Sequence, residues 1–241
     1  MCNGRKSLAR DACWAVAPII TVRYSIAMTM WDEVLANYGL RILGVSRLPD
    51  KDAALHLDAP HVALIGAVGA QYWPYFAASP EFDVPQNSLD LWSKNAIAKV
   101  AKQFDMRAVF PSDGPSYYPF QQWALSSGQY SRSPVGVLIH HEWGLWTAFR
   151  GALCGDFGAY PPAQSIPTPC DTCAKPCLSA CPVAAFSDAG YNVAACKSYL
   201  HTSPNAPCHQ RSCMARVACP VAPQHAYDTA PSRFHMSAFL G

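Results

Sequence analysis

Eight cysteines lie between Cys170 and Cys219, and their spacing is the first chemistry this sequence offers. Four stand at Cys170, Cys173, Cys177 and Cys181, the last followed by Pro182. Cys196, Cys208, Cys213 and Cys219 come after them, the last running into Pro220. Thiols so close can pair as disulfides, hold zinc or wrap an iron–sulfur cluster. The chain has 11 cysteines, an odd number, so a closed set of internal disulfides is impossible. Four-cysteine zinc sites usually read as paired C-x2-C knuckles across a longer loop, and here only Cys170 and Cys173 have that spacing.

A cubane cluster takes three ligands from one tight loop and a fourth from elsewhere in the chain. In the pattern C-x2-C-x2-C-x3-C-P the final cysteine serves a second cluster, and the proline turns the chain away. Cys181-Pro182-Val183-Ala184 and Cys219-Pro220-Val221-Ala222 repeat that closing, as two half-motifs related by pseudo-symmetry would. Cys170, Cys173 and Cys177 then wrap one cluster and receive Cys219. Cys208 and Cys213 hold the other with Cys181, leaving one vacancy and one thiol, Cys196. The reading is two [4Fe–4S] clusters, with zinc as the alternative. Two departures accompany it. Ala174-Lys175-Pro176 is three residues where the pattern has two, and the second half reads C-x4-C-x5-C-P.

The rest of the chain must position this block. With 241 residues, 51% hydrophobic and 14% charged, it can bury a sizeable core and is not a disordered chain. The net charge of +2 and the lack of a basic run give no sign of a nucleic-acid surface. Short apolar runs predict strands at 40–46, 61–68, 106–110 and 135–140. Leu89, Trp92, Ala96, Val100 and Phe104 predict a helix capped by Ser88, and a shorter helix is expected over 118–127. The run Gly66-Ala67-Val68-Gly69 lacks dinucleotide-binding spacing and reads as a tight turn.

Residues 137–151 gather His140, His141, Glu142, Trp143, Trp146, Phe149 and Arg150 between two apolar stretches. One reading is a strand–turn–strand with a packing role; the other is the wall of a pocket for a flat organic cofactor. Residues 1–29 are expected to be an extension. Their longest apolar run, 12–22, is too short to span a membrane, although it resembles the centre of an export signal.

At these residues the chain resembles known families. The cysteine block is similar to the ferredoxin part of epoxyqueuosine reductases and corrinoid-dependent reductive dehalogenases. There a four-cysteine motif ending in Cys-Pro is followed by Cys-x-Ser-Tyr-Leu, here Cys196-Lys197-Ser198-Tyr199-Leu200. The resemblance implies that Cys196 fills the vacancy in the second cluster. Residues 137–151 resemble a stretch of the cobalamin-processing chaperones, matched at His140, Gly144, Trp146, Ala148, Arg150 and Gly151. Departures are His141-Glu142 in place of Pro-x, and Leu145 in place of a glycine.

Together the resemblances imply an α/β (α+β) chain, with a nitroreductase-like domain over 30–162 and a small two-cluster ferredoxin-like domain over 163–241. Cobalamin would sit against His140, Trp143, Gly144, Trp146, Phe149, Arg150 and Gly151. Electrons would pass from an external donor through both clusters to a bound corrinoid or small-molecule substrate. A plain electron carrier and a zinc-stabilised interaction module are the alternatives. A cytoplasmic setting is expected, with neither nucleic-acid partner nor membrane span.

Overall fold

The computed structural model describes residues 26–48, 57–158 and 166–241. The expected extension as far as residue 25, with Cys2 and Cys13, and the expected domain boundary at 162/163 lie outside the described residues. Helix α1 (Ile26–Ala36) leads into strands β1 (Arg41–Arg47) and β2 (His61–Val68). A short helix α2 (Trp73–Ala77) and a 3₁₀ turn precede the long helix α3 (Ser88–Gln103). Then come β3 (Arg107–Val109), α4 (Phe120–Ser126), the hairpin of β4 (Tyr130–Arg132) and β5 (Leu138–His140), and β6 (Thr147–Gly155). The cysteine-bearing part uses shorter pieces: α5 (Pro176–Ser179), β7 (Phe186–Ser187), β8 (Gly190–Tyr191), α6 (Val193–Thr202), α7 (Cys208–Arg211) and α8 (Met214–Val217). It ends in α9 (Thr229–Leu240).

The fold is α+β, with small antiparallel sheets. Its main sheet has the order β1-β2-β6-β3, every neighbouring pair antiparallel. Both faces of this sheet are covered, which is why its strands read as near-continuous apolar runs. Ala63, Ile65 and Leu153 face a core formed with Trp31 and Leu35 of α1 and Trp92, Ile97 and Val100 of α3. Val62, Leu64 and Ala152, one residue out of step, face Phe120, Trp123 and Ala124 of α4. Gly66 sits where the register between β2 and β6 shifts, and a Cβ there would press into the carbonyl of Ala148.

The four strands expected from apolar runs are present, the third and fourth shortened to Arg107–Val109 and Leu138–His140. Residues 137–151 form a strand, a turn and the start of β6, the partner of β2 at the centre of the sheet. Helix α3 lies where its stripe predicts. Ser88 is its first residue, however, and Asn87, in the left-handed region, occupies the cap position without a side-chain cap bond. Among the described residues no helix is long and apolar enough to cross a membrane.

Candidate metal centre

The cysteine block folds against the turn between β5 and β6. Val135, Ile139 and Leu145 form one apolar cluster with Cys177, Ala215 and Cys219. Arg216 fastens the contact: its Nε donates to the Leu145 carbonyl at 2.7 Å, and its guanidinium lies over Trp146 at 4.4 Å and Tyr227 at 4.9 Å. Gly144, at φ +60°, lies so close to the Val221 carbonyl that a side chain would not fit.

All nine cysteines among the described residues are free thiols, and eight of them divide between two neighbouring cavities. A narrow cavity is lined by Cys170, Cys173, Cys177 and Cys219, with Leu145 and Val221 in its wall. A second, of about 390 Å³, is lined by Cys181, Cys196, Cys208 and Cys213, and by Phe186, Tyr191, Met214 and Phe239. Val135 belongs to the lining of both. The grouping joins residues from distant parts of the block: Cys219 meets the first loop, and Cys181 leaves that loop for the second cavity.

Among the described residues, no three His, Cys, Asp or Glu side chains are gathered closely enough to hold a metal ion. One tetrahedral zinc needs four sulfurs about 2.3 Å from a single point. A cubane binds each thiolate to a different iron and spreads the four sulfurs more widely.

Backbone amides point at these sulfurs. The Lys175 and Ala185 N–H groups donate to Cys173 and Cys181 Sγ, each at 3.3 Å. The amides of Leu178, Met214 and Val221 hold down the pKa values of Cys177, Cys208 and Cys219, as Ala215 and Arg216 do for Cys213. Burial wins nonetheless, and with the neighbouring thiolates it pushes these four thiols upward. Four thiolates around one cavity repel each other, and iron would supply the positive charge that offsets this. Four thiols at each cavity match the ligand number of one cubane cluster.

Backbone strain is concentrated in the same loops. Ala184 and Ala222, the final residues of the two Cys-Pro-Val-Ala segments, have φ 46° and 52°, and Lys175 has φ 54°. The pseudo-symmetry expected from sequence thus extends to the backbone. Lys175, at the centre of the three-residue spacer, occupies the N-cap position of α5 and aims its N–H at Cys173, which gives the longer spacer a use. Left-handed alanine costs about 1–2 kcal/mol, less the entropy glycine loses on folding. Ala184→Gly and Ala222→Gly should each stabilise the protein by about 0.5–1 kcal/mol in urea denaturation, with iron content unchanged.

The seven residues expected to contact cobalamin do not converge on one cavity. His140 is buried, stacked on Trp143 at 4.2 Å, and its Nδ1 accepts from the N–H groups of Glu142 and Trp143. It is a strut of the turn. Trp143 lines a groove on one side of the sheet, whereas Trp146 is buried beneath Arg216. Phe149 and Arg150 line a separate hollow of about 260 Å³, where Arg150 pairs with Asp90 at 3.3 Å. Gly151 is in β6, opposite Ile65, against Ile97 and Phe110, and Gly144 faces Val221. These residues do not fit a single site for a corrin ring. Sequence reasoning missed Val135, Tyr191 and Arg216; only Arg216, midway between Cys213 and Cys219, carried a signal.

Two imidazoles, His140 buried and His235 half-buried, impose a pH dependence. Burial lowers His140 to about 3; burial, then Arg150 and Arg216, lower His235 to about 4. His235 Nε2 lies 2.7 Å from the Tyr72 hydroxyl. In the unfolded chain both bind a proton at about pH 6.5, so below that pH the unfolded state holds more protons. Stability is full above about pH 6.5 and falls as the pH drops toward 4. Urea midpoints should follow this course, with a shallower fall in His235→Phe.

No family model matches the chain, and no curated protein matches it.

Proposed function

We propose that this chain is an iron–sulfur electron-transfer protein, a reductase that passes electrons through two [4Fe–4S] clusters to a small-molecule acceptor. In this reading residues 163–241 are ferredoxin-like and residues 30–162 are a nitroreductase-like support. The observation that carries it is the division of eight thiols, four and four, between adjacent cavities that share Val135. The clusters, when bound, supply one-electron chemistry at low potential. The chain's own part is to hold the thiols apart, direct amides at the sulfurs and shield the narrow cavity with Ile139 and Leu145. The resemblance implies a corrinoid acceptor, but the seven residues it names do not line a single cavity, and no step is derived through one.

The test is a redox titration of anaerobically purified protein followed by electron paramagnetic resonance. Two reversible one-electron centres are expected. A protein with no reducible centre would remove the proposal.

A further inference from the structure

A groove of about 830 Å³ is bounded by α1, the start of β1, α2 and the turn after β5. Its volume lies in the range of small-molecule sites. One wall is Trp143, itself backed by His140, which two backbone N–H groups hold in place. Tyr75, 45% exposed, supplies a second aromatic face. The charges are unequal. Asp32 pairs with Arg41 at 3.8 Å, while Glu33 and Glu142 have no ion-pair partner among the described residues. The Arg41 guanidinium lies over the Trp143 ring at 5.3 Å, so this face already holds a flat cation belonging to the chain. Both members of the Asp32–Arg41 pair are more than a third exposed, so it is a weak tether that a ligand can displace.

We propose that this groove binds a flat organic cation, stacked on Trp143 in place of Arg41 and paired with Glu33 and Glu142. Two excess carboxylates beside an aromatic face select positive charge, and the rigid backing of Trp143 selects planarity. The groove also lies next to the narrow cysteine cavity. Gly144, which follows Trp143, abuts Val221, and Leu145 and Val221 both line that cavity. The groove's role as the place where electrons leave the protein rests on the iron–sulfur reading; its affinity for cations does not.

The test is equilibrium binding of methylene blue, a flat cation, to the oxidised protein as purified, with anthraquinone-2-sulfonate as the flat anion. Methylene blue should bind at one site per chain, more weakly as salt rises, and the anion should bind far less. Glu33→Gln/Glu142→Gln should weaken the cation roughly fivefold or more, and Trp143→Leu roughly tenfold. Arg41→Met, which removes the internal competitor, should tighten it a few-fold. Equal affinity for the anion, weaker cation binding in Arg41→Met, or no response to any variant would overturn the proposal. Iron is measured in every preparation. Iron-free protein with the expected binding pattern would support the groove and remove the electron-transfer reading. Full iron without that pattern would overturn the groove alone.

Discussion

Cys177→Ser and Cys219→Ser should each remove about half of the iron, leaving about four atoms per chain of about eight. The two residues are far apart in sequence, yet they line one narrow cavity with Cys170 and Cys173. Combining them should therefore cost no more iron than either alone, because both changes disable the same site. Cys177→Ser with Cys213→Ser should abolish both clusters, since Cys213 lines the other cavity with Cys181, Cys196 and Cys208. Cys196→Ser tests the thiol that the cysteine count left over, and it should behave as Cys213→Ser does. The control is Cys154→Ala. Its thiol is buried in β6, opposite Val62 and Arg107, and burial raises its pKa to about 11. Iron should not change there. Iron and acid-labile sulfide assays read all of these, and a partition other than four and four would refute the assignment of cavities.

Gly144→Ala should be strongly destabilising. Residue 144 has φ +60°, which costs an L-residue about 1–2 kcal/mol, and the added Cβ would press into the Val221 carbonyl. Overpacking of that kind costs a further 1–3 kcal/mol or so, giving a total loss of about 2–5 kcal/mol in urea denaturation. The damage should also reach the metal. Val221 is two residues beyond Cys219 and lines the narrow cavity, so that cavity should lose iron in preference to the other. Gly158→Ala is a useful comparison, because its φ is +71° but nothing lies within 4 Å of the place its added Cβ would take. It should show the conformational cost without loss of iron.

Much of the cysteine arrangement was legible because ligand spacing is local chemistry. Cys-Pro closings follow Cys181 and Cys219, each of which lines the cavity away from the other cysteines of its own loop. Strand positions were legible because a sheet covered on both faces needs apolar runs. The pocket around residues 137–151 was not. Neighbouring aromatics on a strand and a turn point in different directions, so Trp143 and Trp146 part company although only three positions separate them. The cation-selective groove was also invisible, because Arg41, Tyr75 and Glu142 come together only through the tertiary fold.

The measurement that bears most directly on the iron–sulfur assignment is the metal and acid-labile sulfide content of the chain purified without oxygen. The expected result is a brown protein with about eight irons and about eight sulfides per chain. A colourless protein with two zinc ions and no sulfide would contradict it.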